Sequence, residues 1–239
     1  MESVKAITAP KPAGAKGTST QTASAFADAA ALVPQGAAAR AKRAADITVA
    51  LIVLVFAAPL LVGIAFAIKA QDGGPVFFRH TRCGRNGAAF GLWKFRTMHV
   101  DAAERLTALL ADDPHAEAEW VRTRKLRRDP RVTRLGRFLR RSSLDELPQL
   151  LNILRGDMSI VGPRPVMAEE LSRYGVLAPL MTAARPGVTG LWQVSGRNDL
   201  DFDARIALDA DYVRRWSLGR DASILLRTVP VVILAKGAY

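Results

Sequence analysis

The hydrophobic pattern divides the chain into three zones. Residues 47–68, ITVALIVLVFAAPLLVGIAFAI, run for 22 positions without a charge, with Arg40, Lys42, Arg43 and Asp46 before them and Lys69 and Asp72 after. As one helix this run is about 33 Å long, enough to cross a hydrocarbon core of about 30 Å. A transmembrane span is the default reading. Pro59, near the middle, removes a backbone donor and clashes with the preceding turn. The halves 47–58 and 60–68 would reach only about 18 Å and about 14 Å. Basic residues at both ends leave the positive-inside asymmetry weak. A helix that enters the bilayer, turns at Ala58-Pro59 and leaves on the same side satisfies these facts too. The pattern leaves both topologies open.

Before this run, residues 1–39 are rich in Ala, Gly, Ser, Thr, Lys and Pro and show no sustained apolar period. Such a segment cannot bury enough surface to offset its ordering entropy and reads as a disordered tail. The first long apolar run starts only at Ile47, without a small-residue cleavage site, which argues against a secretory signal.

Residues 70–239 form the third zone. Asp72-Gly73-Gly74-Pro75 signals a turn into a short strand at Val76-Phe77-Phe78, and Gly84 to Gly87 reads as a hairpin before Phe90-Gly91-Leu92-Trp93. A helical pattern from Asp101 to Lys125 places Leu106, Leu109, Leu110 and Trp120 inside, with a break near Asp113-Pro114. Asp129-Pro130 suits the start of another helix. A further helix runs from Leu147 or Pro148 to Arg155 and stops at Gly156. After Pro-rich loops at 162–165 and 185–187 come a helix over 203–216 and an apolar segment over 222–235, interrupted by Arg227 and Pro230. The last segment is too broken for a second span.

Charge narrows the partners. Thirty-four Lys and Arg against 22 Asp and Glu give a net +12, and ten of the bases with a single acid fall within 120–141. Arg131, Arg134 and Arg137 recur at three-residue spacing with Val132, Leu135, Phe138 and Leu139 between them, a helix with one basic and one apolar face. A solvated face, a nucleic-acid groove and a helix on an anionic membrane or phosphate surface all fit. The absence of an aromatic-interleaved module argues against nucleic acid, and the nearby apolar run favours the membrane surface. A single cysteine, Cys83, excludes an intramolecular disulfide, and His80, His99 and His115 match no zinc spacing.

Directly after the basic stretch, Arg140-Arg141-Ser142-Ser143-Leu144-Asp145-Glu146-Leu147-Pro148 sets two adjacent carboxylates beside arginines. Ser143 with Glu146 also fits a capping box, and Asp145 fits an N-cap, so spacing leaves a structural role open. KFRTM at 94–98, DPRVTRLGRFLRRSSLDELPQLLNILRGDMSIVGPRP at 129–165 and RPGVTGLWQVSGRN at 185–198 resemble the bacterial sugar transferases, the monotopic polyprenol-phosphate phosphoglycosyl transferases. The likeness runs from the apolar segment to the carboxyl terminus. Within that family the chain looks most similar to the galactose-1-phosphate transferases that initiate exopolysaccharide synthesis.

The resemblance implies an α+β fold, mainly helical. A re-entrant membrane helix over 40–69, broken at Pro59, would pack on a small cytoplasmic catalytic domain, 70–239, with amphipathic interface helices and short strands. It implies Asp145 as nucleophile and Glu146, with Asp145, at a Mg2+ site. Arg140 and the Pro163-Arg164-Pro165 motif would hold phosphate. Lys94, Arg96 and Arg197 are further phosphate-binding candidates. The implied partners are UDP-hexose, undecaprenyl phosphate and the lipids of the bacterial inner membrane; nucleic acid is not among them, and oligomerisation stays open. Two other readings compete. One is a glycosyltransferase using an Asp-X-Asp metal triplet, at Asp199-Leu200-Asp201, Asp201-Phe202-Asp203 or Asp209-Ala210-Asp211. The other is a non-enzymatic, membrane-anchored basic adaptor.

Overall fold

The computed structural model describes residues 28–197 and 200–233. Its dominant element is α1, Gly36–Asp72, a helix of 37 residues. No acid or proline interrupts its start, and it ends where Gly73 takes the left-handed conformation, φ 69°, that glycine adopts at least cost. Pro59 stands inside the helix, whose helical run continues through Ala58-Pro59. The expected tail is also shorter than 1–39. Residues 28–31 are helical, and Ala29 and Val33 are buried in the main core, because two apolar side chains found a tertiary partner that local composition could not reveal. The rest of the expected tail, residues 1–27, lies outside the described residues.

Polar groups fasten both ends of α1 to the remaining chain. At the first end Asp46, 3% exposed, accepts from Ser159 Oγ at 2.9 Å and from the Ile160 amide at 3.0 Å. Lys42 Nζ lies 2.7 Å from Asp221 Oδ2 and 3.2 Å from Asp46 Oδ1. Arg43 donates to the carbonyls of Ile153 and Leu154 at 2.6 and 3.0 Å. At the other end Arg96 grips the Asp72 carboxylate, one contact at 2.8 Å. Between these ends Val55, Phe56, Val62 and Phe66 project outward, Phe56 with 82% of its surface exposed.

The hairpin follows: β1, Phe77–Cys83, pairs antiparallel with β2, Ala89–Phe95, from Phe77 opposite Phe95 to Cys83 opposite Ala89. Asn86 and Gly87 at positive φ turn the chain between them. Helices α2, Ala102–Asp112, and α3, Pro114–Thr123, split where Asp113 caps the second and Pro114 takes its first position. Leu106, Leu109, Leu110 and Trp120 are only half-buried, since this helical pair lies on the periphery. Helix α4 is Arg134–Arg141, capped by Thr133 rather than started at Asp129-Pro130. Asp129 instead folds back on Arg131, with contacts of 2.8 and 2.7 Å.

A 3-10 turn at Leu144–Glu146 leads into α5, Gln149–Arg155, which Gly156 ends at φ 95°. The short parallel pair β3, Ser159–Val161, and β4, Gly187–Thr189, comes next. Here a Cβ on Gly187 would stand 2.1 Å from the Gly162 nitrogen, so only glycine lets these strands meet. Four short helices frame them: α6, Ala168–Leu171, α7, Ala178–Ala183, α8, Leu191–Ser195, and α9, Phe202–Arg214. Helix α10, Leu218–Ile233, completes the described chain. The main core joins α1, α5, β3 and α7 to α10, while a smaller cluster sets Ile64 and Ile68 of α1 against Phe95 and Leu139.

Asn152 stitches these layers together. Fully buried on α5, it accepts from the Trp93 amide at 3.0 Å and donates to Gly91 O at 2.9 Å and Asp157 Oδ2 at 3.0 Å. That bridge fixes β2 relative to the turn carrying Asp145. Replacing Asn152 with Ala leaves buried partners without bonds, at a cost of about 1–3 kcal/mol for each group left unsatisfied. We expect Asn152→Ala to lower the thermal midpoint by several degrees. Chemical denaturation with an unchanged midpoint would contradict the bridging role.

Candidate active site

The two adjacent carboxylates are placed by a tight local turn. Ser143 adopts φ 57°, and this left-handed residue swings the chain from α4 into the 3-10 turn that carries Asp145 and Glu146. Neither expected cap forms: Ser143 makes no capping bond, and α5 begins after Pro148. Asp145 points inward, 7% exposed, whereas the Glu146 side chain keeps 36% of its surface. Lys94 reaches both from β2, its Nζ 2.6 Å from Glu146 Oε1 and 3.7 Å from Asp145 Oδ2. Arg140, one turn before Ser143, fixes its guanidinium through Nε on Thr97 Oγ1 at 2.9 Å. Close packing makes that contact reachable, because a Cβ on Gly136 would overlap the Thr97 carbonyl at 2.0 Å.

Burial dominates the electrostatics of Asp145. Its pKa is pushed up to about 6 by desolvation; Lys94 and Arg140 oppose the rise and Glu146 adds to it. The carboxyl oxygen is therefore more basic than that of a solvated aspartate. Arg140 is held below its usual range, again chiefly by burial.

These groups line a cavity of about 860 Å³, large enough for a nucleotide-sized ligand. It also receives Thr97, Lys125, Trp192, Gln193 and Arg197. From β1 come Phe78, His80 and Arg82, which alternate onto one strand face, with Phe78 opposite Lys94 in the ladder. Period-two alternation carried the signal for His80 and Arg82, but it identifies a cavity face only when the hairpin register is known.

Two sets of candidates stand differently from expectation. Arg96 lines the cavity, yet its guanidinium is taken up by Asp72 and the Ile68 carbonyl, so it fastens α1 rather than offering a free phosphate contact. Pro163, Arg164 and Pro165 do not line the cavity. Arg164 lies over the Trp192 ring, 5.5 Å from its centre, with Arg205 at 5.1 Å, and its amide donates to buried Asp209 Oδ2 at 3.1 Å. The motif thus lies beside the cavity, with its arginine over the ring of Trp192, which lines it.

Among the described residues the Asp-X-Asp triplets supply no metal centre. Asp201 caps α9 through the Ala204 amide, Asp211 pairs with Arg215 and Arg220, and Asp209 is sealed from solvent. Asp199 lies outside the described residues. Among the described residues no three His, Cys, Asp or Glu side chains gather as a metal site. Asp145 and Glu146 are the carboxylates that face the cavity, so a cation there would draw its remaining ligands from substrate or water.

Comparison with known proteins settles the lineage. The bacterial sugar transferase family matches residues 37–235. The chain belongs to that family. It is 49% identical to an undecaprenyl-phosphate galactose phosphotransferase of Salmonella typhimurium, over 83% of this chain and 41% of that protein. The same identity and coverage of this chain link it to the exopolysaccharide production protein ExoY of Rhizobium meliloti, here over 88% of the relative. A UDP-glucose:undecaprenyl-phosphate glucose-1-phosphate transferase of Caulobacter vibrioides is 44% identical over 87% of this chain and 75% of its own. The chain therefore spans about two-fifths of the Salmonella relative and most of the Rhizobium one.

The raised pKa of Asp145 bears on the stability of the folded chain without any substrate. An unfolded aspartate titrates near 3.9 and the folded one near 6, so the folded protein holds the proton more tightly. The stabilisation is fully present below about pH 4 and is lost as pH rises through about 6, a cost on the order of 2–3 kcal/mol at neutral pH. Asp145→Asn should accordingly unfold at a higher temperature than wild type at pH 7.5 in chelator. The difference should vanish near pH 4. A variant less stable than wild type at pH 7.5 would mean that Lys94 and Arg140 outweigh burial.

Proposed function

We propose that this chain transfers a hexose-1-phosphate from UDP-hexose to undecaprenyl phosphate, releasing UMP, as the first step of exopolysaccharide assembly. The observation that carries the reading is Asp145: a buried carboxylate of raised basicity, faced by Lys94 and Arg140 in a nucleotide-sized cavity. The names of the relatives supply the substrate class, with galactose favoured and glucose next.

In the proposed first step an Asp145 oxygen attacks the phosphorus that bears the sugar. The bond to the bridging oxygen breaks, UMP leaves with that oxygen, and a sugar-phosphoryl-aspartate remains. In the second step an oxygen of the lipid phosphate attacks the same phosphorus, and Asp145 departs as carboxylate. Splitting the displacement lets a water-soluble donor and a membrane-bound acceptor use one site in turn. An anion must approach a polyanion here, so the positive groups matter most. Lys94 holds the carboxylate pair in register, and Arg140, Lys125 and Arg197 line the route of the phosphates.

Mg2+ fits this donor set. It uses one or two protein carboxylates together with substrate phosphates and water, and Glu146 is half-exposed beside Asp145 with a cation already drawn between them. Glu146, assisted by Asp145, would hold the ion, which supplies charge neutralisation of the diphosphate.

The membrane geometry is part of the same proposal. Both ends of α1 bond to one domain, while the middle of the helix exposes only apolar side chains. Ends so tied belong on one side of a bilayer, and the reading is a re-entrant segment with the catalytic domain on the cytoplasmic face of the inner membrane. Arg96 and Pro75 carry the cavity wall to the end of α1, which brings the site to lipid-headgroup level.

Incubation of membranes with UDP-galactose, UDP-glucose or UDP-N-acetyl sugars, polyprenol phosphate and Mg2+ should release UMP, fastest with UDP-galactose. UDP release instead would mean glycosyl transfer and overturn the reading. Asp145→Asn should lower turnover by at least about 1000-fold, as expected for loss of a covalent nucleophile. Lys94→Gln should cost about 100-fold in kcat/KM.

A further inference from the structure

A second group of cations lies apart from the catalytic cavity. Arg85, in the turn between β1 and β2, and Arg185, after α7, line a small cavity together with Lys42 and Asp46 of α1. The Arg85 guanidinium is exposed and has no hydrogen-bond or ion-pair partner among the described residues. Arg185 uses Nε on the Gly156 carbonyl at 2.9 Å, which leaves its two terminal nitrogens without partners among the described residues. Nearby Arg43 is bonded only to carbonyls. Among the described residues no carboxylate is ion-paired with any of the three.

Cations held together with an incomplete counter-charge mark a site that gains from an anion. Arg185 is held below its usual pKa, by burial first and then by Arg85 and Arg43. Asp46 relieves the excess only in part, because Ser159, Ile160 and Lys42 already occupy its oxygens. The cavity measures about 60 Å³, against about 860 Å³ for the catalytic one. A phosphate group fits there and a nucleotide sugar does not. Val213 and Trp216 add apolar wall.

Position along α1 identifies the source of that phosphate. Lys42, Arg43 and Asp46 immediately precede the uncharged run that begins at Ile47, so the cavity lies where the helix meets the leaflet. Basic pockets at that level favour anionic headgroups. We propose that Arg85 and Arg185 bind the phosphodiester of an anionic phospholipid, whose acyl chains lie in the leaflet beside α1. This rests on the membrane reading of 47–68 and not on the reaction assigned to Asp145.

The test is native mass spectrometry of the purified full chain released from detergent containing equal phosphatidylglycerol and phosphatidylcholine. Wild type should retain phosphatidylglycerol in preference. Arg85→Glu and Arg185→Gln should each reduce its occupancy by about fivefold or more, the effect of one basic residue at an anionic surface. Arg85→Glu should still release UMP at the wild-type rate in detergent, so failure of the lipid site and failure of the reaction are read separately. Equal retention of both lipids by wild type, or unchanged phosphatidylglycerol on Arg85→Glu, would overturn the proposal. So would millimolar inorganic phosphate that displaces the lipid and raises the thermal midpoint by itself, since the ligand would then be the free anion.

Discussion

The attachment of both ends of one long apolar helix to a single small domain is the constraint from which the architecture follows. Asp46 carries the first attachment, a buried carboxylate whose oxygens accept from Ser159, Ile160 and Lys42. Asp72 carries the second, through the Arg96 guanidinium. The buried charge at Asp46 adds little net stability over an apolar filling, yet removing one of its partners is expensive, whereas Asp72 is an exposed acid held by the buried Arg96. Their effect is to specify position. With polar groups fixed at Lys42–Asp46 and at Asp72, the uncharged stretch between them is left with no polar partner but itself, and its outward side chains seek lipid.

The cavity around Asp145 inherits its position from the second attachment. Phe95 packs with Ile64, Ile68 and Leu139, and its neighbour Arg96 ties down the helix end. Lys94, one residue earlier, alternates to the other strand face and meets Asp145 and Glu146. Three consecutive residues of β2 and its exit therefore join apolar helix, core and carboxylate pair. Asn152 locks the same strand from the opposite direction. Asp145 lies in a buried place among charged neighbours that are themselves fixed, Lys94 by Glu146 and Arg140 by Thr97.

Local signals in the sequence were legible, and contacts distant along the chain were not. Asp113-Pro114 and Gly156 announced their helix boundaries because capping and backbone restriction act within a few residues. The apolar run, the hairpin turn and the carboxylate pair were legible for the same reason. Arg96 was read as a phosphate ligand, since its partner Asp72 lies 24 positions away. The contact between Arg140 and Thr97 spans 43 positions, and no period in the sequence encodes it. The raised pKa of Asp145 is not legible in the sequence, because desolvation is a property of the assembled cavity. Burial of Ala29 and Val33 is likewise tertiary, which is why a polar, alanine-rich tail reached further into order than its composition implied. The Pro-Arg-Pro motif was visible as a motif, but its hold on Trp192 depends on how β3 and α8 pack.

The claim that the helix leaves and returns on one side is open to a direct topological measurement. Cys83 replaced by Ser gives a background without thiols, and Ala38→Cys and Gln71→Cys then report the two ends of α1, both at exposed positions. A membrane-impermeant maleimide applied to inverted inner-membrane vesicles should label both variants, and applied to spheroplasts it should label neither. Labelling of the two positions from opposite sides would make α1 a plain span and contradict the account.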